Sequence, residues 1–241
     1  MKFCRRVGHR LSTRVDMLKL SEDLAPIRKE TMRNDLTDIT LILDSSGSME
    51  SCRSDAEGGL NNFIEEQKGQ PGDALFTLVK FSTGYDFEHK AVPIGQVSKV
   101  VLRPSGGTAL LDAVGRGIIE AGQRLAAMPE EQRPGLVVFV ILTDGEENSS
   151  RVFKKETVRK MIEEQTRVYS WQFVFLGANQ DAFAEAGGIG IAPATCANYA
   201  VDRAAEGIKV TSAKVSKARS AVARGVMPDL KFTDDEREEL T

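Results

Sequence analysis

The stretch Leu41-Ile42-Leu43-Asp44-Ser45-Ser46-Gly47-Ser48-Met49-Glu50-Ser51-Cys52 decides the reading of this chain. An apolar, β-prone run, which begins at Thr37, ends abruptly on an aspartate and a cluster of serines. A buried strand that stops on small oxygen-bearing side chains delivers those oxygens to one end of a sheet. The segment after it places Ala56, Leu60, Phe63 and Ile64 on one helical face, and opens with Ser54 and Glu57 at capping-box spacing.

The alternation continues. GDALFTLVKFS (72–82) and YDFEHKAVPI (85–94) read as two more strands. The short turn at Thr83-Gly84 demands antiparallel pairing between them, and Pro93 suits an edge strand. GGTALLDAVGRGIIEAGQRLAAM (106–128) is a helix behind a glycine pair, with Leu110, Val114, Ile118, Ala121 and Leu125 as its stripe. GLVVFVILTDGEENSS (135–150) holds the most apolar strand, expected at the centre and covered on both faces. A helix (154–167), a strand (171–179), a short helix (180–188), a poor strand (196–201) and a closing helix (204–225) follow. Strands alternating with helices predict an α/β fold: a doubly wound, mainly parallel sheet flanked by helices on both faces, with one antiparallel strand near an edge.

With 241 residues, 41% hydrophobic and 28% charged, the chain suits one domain with appendages. A formal net charge of −3 gives no general nucleic-acid-binding character. Cys4, Cys52 and Cys196 lie far apart with no CxxC pair, which argues against a disulfide framework or a zinc site and for a reducing, cytoplasmic setting. No stretch approaches the roughly 20 apolar residues of a membrane helix. Residues 1–35 are a basic extension with no apolar run of the secretory type. It reads either as a mobile arm or as a docking arm for a partner or an anionic surface. Residues 36–226 form the domain. Residues 227–241 are an acidic tail, expected to be mobile, whose carboxylates either solubilise the chain or reach into a site on a neighbouring copy.

In an open doubly wound sheet, ligands bind beyond the carboxyl ends of the strands, near the point where strand order reverses. The first strand delivers Asp44, Ser46 and Ser48 there, the loop before the 106–128 helix delivers Thr108, and the central strand delivers Asp144. Two carboxylates and three hydroxyls, without imidazole or thiolate, are hard ligands that suit Mg²⁺ or Mn²⁺. Mg²⁺ takes six oxygens, so a position remains for a visitor. Gly47 is expected to let the first loop curl, and Gly106 and Gly107 to let the second approach. Asp112 is either a partner that orients a ligand hydroxyl or a favourable charge in a first helical turn. Glu146, with Glu147, is either an acidic rim that screens partners or solvated loop charge. Met49 and Trp171 read as packing, and His9, His89 and Cys52 carry no role.

Asp44-Ser45-Ser46-Gly47-Ser48-Met49, then Gly106-Gly107-Thr108, then Thr143-Asp144-Gly145 together resemble the von Willebrand factor A (vWA) domain and its metal-ion-dependent adhesion site (MIDAS). The resemblance covers about Leu36 to Gly225. It implies a Rossmann-like sheet in the order 3-2-1-4-5-6 with the third strand antiparallel. It also implies an ion held by Asp44, Ser46, Ser48, Thr108 and Asp144, all present here. TALLDA, VILTDGEEN and FLGANQDAFAEAG are similar to an intracellular bacterial and phage-type branch. The function implied is a non-enzymatic protein-binding module whose Mg²⁺ or Mn²⁺ is completed by an Asp or Glu of a partner. Partners implied include an AAA-type ATPase or a multi-protein or phage assembly. Two rival readings stand beside it. A Mg²⁺-dependent phosphoryl hydrolase is disfavoured, because Ser46 stands where such sites place a second acid and no Lys or Arg precedes Arg53 in the loop. Nucleic-acid contact would have to come from the basic extension and fall steeply with salt.

Overall fold

The computed structural model describes residues 32–178 and 182–241. Its strands are β1 (Arg33–Asp44), β2 (Asp73–Phe81), β3 (Tyr85–Pro93), β4 (Pro134–Thr143), β5 (Gln172–Ala178) and β6 (Cys196–Tyr199). Its α-helices are α1 (Arg53–Lys68), α2 (Leu110–Ala126), α3 (Lys155–Tyr169), α4 (Ala182–Gly188), α5 (Ala204–Ala223) and α6 (Asp234–Glu238). The strands form one sheet in the order β3-β2-β1-β4-β5-β6. Every neighbouring pair is parallel except β2 with β3.

The period-2 alternation of β1 explains the two cores. Ile39, Leu41 and Leu43 face α1 and α5, burying Leu60, Phe63, Ile64, Ile208 and Val215 with them. Ile42 faces the other way, with Leu110, Val114 and Ile118 of α2 and Val158 and Ile162 of α3. β4 is buried along almost its whole length, as its apolar run predicts. Trp171 stacks on Phe139 with ring centroids 5.3 Å apart, a packing role. β3 is an edge strand, with Pro93 as its last residue.

Three expectations change. Residues 33–35 belong to the first strand rather than to an extension. The Arg33 N–H donates to the Arg133 carbonyl at 2.8 Å, and its guanidinium reaches Asp35 at 2.7 Å and Asp73 at 2.6 Å. The rest of the predicted extension lies outside the described residues. Ser54 and Glu57 do not cap α1. The chain enters that helix through a 3-10 turn over Gly47–Cys52, so Ser54 already lies inside it, and Glu57 accepts the Leu102 N–H at 2.9 Å instead.

The third change is the acidic tail, which is packed rather than mobile. Leu230, Phe232 and Leu240 are buried in the core on the α1/α5 side. Thr233 and Glu236 form a reciprocal capping box at the start of α6. Lys214 of α5 donates to the Lys231 carbonyl and to Glu236, each at 2.6 Å. The Ala200 N–H donates to the Leu240 carbonyl at 2.7 Å, and Arg237 donates to the Pro193 carbonyl at 3.0 Å beside β6. Three apolar anchors thus outweigh the repulsion among the acids, and Glu236 is committed within its own chain.

Candidate metal centre

At the carboxyl ends of β1 and β4, backbone bonds stitch three loops together. The Ser45 N–H donates to the Phe81 carbonyl at 2.7 Å, and the Ser105 N–H to the Ser45 carbonyl at 2.8 Å. Between them, the Gly47 N–H donates to the Gly106 carbonyl at 3.0 Å. Gly106 has φ of +75°, and a Cβ there would strike the Thr83 hydroxyl, so this position requires glycine. A Cβ on Gly107 would strike the side chains of Ser149 and Asn148. Gly47 differs from expectation: it is not among the glycines with positive φ, so the curl of the first loop does not depend on its freedom.

Those stitches bring the five oxygen-bearing residues together. Asp44 is fully buried, Ser46, Thr108 and Asp144 are buried, and Ser48 is exposed. Asp44 Oδ1 accepts the Ser46 N–H at 2.7 Å. The Ser46 and Ser48 hydroxyls lie 3.0 Å apart, and Ser48 donates to Asp144 Oδ1 at 2.8 Å. Thr108 Oγ1 and Ser48 Oγ both flank Gly145, where an added Cβ would meet them at 3.2 and 3.5 Å. Among the described residues no Lys or Arg forms an ion pair with Asp44 or Asp144.

The electrostatics follow. Burial pushes the Asp44 carboxyl up to about 6, with the Asp144 charge adding to it, against the pull of hydrogen bonds from Thr143 and Ser46. Burial also raises Asp144, opposed by the Ser48 hydroxyl. Two buried acids lie at one end of the sheet with no compensating cation among the described residues, a donor set of hard oxygens that a dication would neutralise. No group of three or more His, Cys, Asp or Glu among the described residues is placed to hold a metal, so an ion here would depend on the hydroxyls as well. Burial raises the neighbouring Cys52 thiol to about 11, which leaves it protonated and inert. Met49 is fully buried, as packing.

Asp112 lies in the first turn of α2, the second of its two expected roles, and its carboxylate has a further task there. Its carboxylate accepts the N–H groups of Arg151, Val152 and Phe153 at 2.8–3.0 Å, clamping the β4–α3 loop onto α2. Glu146 is exposed, whereas Glu147 turns inward and accepts the Leu111 N–H at 2.8 Å at the start of α2. Sequence reasoning missed three contributors. Asn148 accepts the Thr108 N–H at 2.9 Å and so fixes that loop. Thr143 donates to Asp44 Oδ2 at 2.6 Å, and Tyr199 donates to the Thr143 carbonyl at 3.2 Å. Thr143 was visible as part of Thr143-Asp144-Gly145, but nothing local marked its hydroxyl as facing the neighbouring strand.

No protein-family model matches the sequence, and no curated protein matches it. Solved structures do. The chain is similar to a von Willebrand factor type A protein from Catenulispora acidiphila, at 19% identity and a TM-score of 0.53 over 75% of this chain and 42% of that one. It is similar to proximal thread matrix protein 1 from the mussel byssus, at 18% identity and 0.53 over 73% and 45%. It is also similar to the manganese-loaded TRAP protein of Plasmodium vivax, at 15% identity and 0.52 over 71% of each chain. The chain spans less than half the length of the first two. At these identities the likeness establishes architecture, and it agrees with the strand order and the antiparallel β3: the described domain has the von Willebrand factor A fold.

Proposed function

We propose that this protein is a divalent-cation-dependent protein-binding module. Asp44, Ser46, Ser48, Thr108 and Asp144 would hold Mg²⁺ or Mn²⁺, directly or through water, and an Asp or Glu of a partner would complete the shell. The observation that carries this reading is the pair of buried carboxylates, linked through serine hydroxyls and without a cationic partner among the described residues, at the ligand-binding end of the sheet. When bound, the ion supplies a positive charge that a partner carboxylate can neutralise, which gives both affinity and orientation. The protein's share is to fix its oxygens beforehand and to exclude a competing internal cation. The manganese-loaded state of the TRAP protein, which has a similar fold, supports the choice of ion class.

A binding role is favoured over phosphoryl hydrolysis because the site offers neither a second acid at position 46 nor a cationic clamp on a phosphate. Nucleic-acid contact rests on the basic extension, nearly all of which lies outside the described residues. The three widely spaced cysteines support a reducing, cytoplasmic setting. An AAA-type ATPase or a multi-protein or phage assembly is the partner class that the resemblance suggests.

Affinity capture from cell extract with and without EDTA, using wild type and Asp44→Ala, tests the mechanism and identifies the partner. A specific partner retained by wild type with Mg²⁺, and lost both in EDTA and in Asp44→Ala, is the expected result. Capture that is indifferent to both treatments rejects the metal as the binding device.

A further inference from the structure

We infer that Thr143 is the positioning residue of this centre: its hydroxyl, reaching across from β4, fixes the orientation of Asp44 on β1 for the ion. The inference rests on the metal-centre reading above and assigns a role to a residue that ligates nothing in that reading.

The two oxygens of Asp44 are held in different ways. Oδ1 accepts the Ser46 N–H at 2.7 Å, a bond within its own loop. Oδ2 accepts the Thr143 hydroxyl at 2.6 Å, a bond between strands. Without the second bond the carboxylate is pinned at one oxygen and can turn. Thr143 Oγ1 also lies 3.0 Å from the Gly145 carbonyl and 3.3 Å from the Gly145 N–H. A hydroxyl has one proton, and the shorter, charge-assisted bond to the carboxylate takes it. The Gly145 N–H then donates back to the same oxygen, so the hydroxyl has one preferred direction. Thr143 is itself fully buried. Its carbonyl is gripped from behind by the buried Tyr199 phenol at 3.2 Å.

The consequence is geometric. Thr143 precedes Asp144 in the chain, so one short segment supplies the second carboxylate and orients the first. Each Asp44 oxygen spends one lone pair on a protein donor and keeps another for an ion or its bound water. A donor behind a ligating carboxylate typically changes metal affinity by about 10- to 100-fold when it is removed.

The test uses Mn²⁺ as the probe and follows its binding to the full chain by electron paramagnetic resonance, with melting in EDTA as a measure of fold. Thr143→Val keeps the shape and deletes the hydroxyl; Thr143→Ser keeps the hydroxyl. The expected result is a loss of about 10- to 100-fold in Mn²⁺ affinity for Thr143→Val, with an altered Mn²⁺ spectrum at saturation and near-wild-type binding for Thr143→Ser. Should Thr143→Val fail to fold, Thr143→Cys is read in its place, with the thiol's weaker donation giving an intermediate affinity. Wild-type affinity and spectrum in the folded variant that lacks the hydroxyl overturn the inference while leaving the metal centre standing. Equal weakening by Thr143→Ser also overturns it, because packing rather than the hydroxyl would then matter. If wild type binds no Mn²⁺, the metal-centre reading itself falls and takes this inference with it.

Discussion

Asp38 and Asp44 sit on the same face of β1, and both are fully buried, yet they meet opposite fates. Asp38 has Arg124 of α2 within 2.8 Å. Neither the Asp38 carboxylate nor the terminal nitrogens of Arg124 have any other side-chain or backbone partner among the described residues, so the two groups depend on each other. Burial pushes the Asp38 carboxyl up and the guanidinium pulls it back. Asp44 has hydroxyl and amide donors and a second carboxylate for company, but no cation among the described residues. The first aspartate is electrically complete inside the fold. The second is satisfied in hydrogen bonds and uncompensated in charge. A buried carboxylate with one donor on each oxygen and no cationic partner among the described residues is the arrangement on which the metal-centre proposal rests.

That contrast can be broken in several ways, beginning with the largest effect. Asp144→Ala should abolish Mg²⁺ and Mn²⁺ binding in titration calorimetry while the fold survives, because half of the site's charge is gone. Arg124→Ala should leave the ion affinity intact and cost about 4 kcal/mol in denaturant unfolding, since it strands Asp38 as an unpaired buried charge. If Arg124→Ala instead weakens metal binding, the two aspartates are not independent.

The pH dependence sharpens the same point. The Asp44 carboxyl is raised in the fold to about 6 from the 3.8 of a free side chain. The folded state therefore holds a proton that the unfolded chain has lost, and stability falls as pH rises between those values. In EDTA, Asp44→Asn should gain on wild type by up to about 3 kcal/mol from pH 4 to pH 7. Saturating Mg²⁺ should narrow that gap by stabilising only the wild type. A gap that does not change with pH refutes the assignment of uncompensated charge.

The smallest effect belongs to the half-buried pair Lys214–Glu236. Glu236→Gln should cost about 1 kcal/mol in thermal melting. Hydrogen bonds from Lys214 and from Thr233 hold the Glu236 carboxyl low despite some burial. Its contribution is therefore present above the free value of 4.5 and lost as pH falls through the folded value, the opposite sign to Asp44.

Much of this was legible because it is periodic or local. Alternation separates the faces of β1, the length of the apolar run marks β4 as central, and Asp44, Ser46 and Ser48 stand within one loop. The missing parts are encounters between distant segments. Thr143 meets Asp44 across strands, Asp112 meets Arg151, and Glu57 meets Leu102; no local pattern announces such pairs. The tail misled because its charges are adjacent and its anchors Leu230, Phe232 and Leu240 are spread out. The spacing of Thr233 and Glu236 marks a capping box as clearly as that of Ser54 and Glu57, and only packing separates the true one from the false.

The backbone ties among the Ser45, Gly47 and Gly106 loops run from amide to carbonyl and need no ion to form. A cage already sewn together asks little rearrangement of the chain when a cation arrives. The pace of loading then belongs to the cation, in how fast it gives up its own water, and Mg²⁺, which dehydrates reluctantly, should fill the cage more slowly than Mn²⁺.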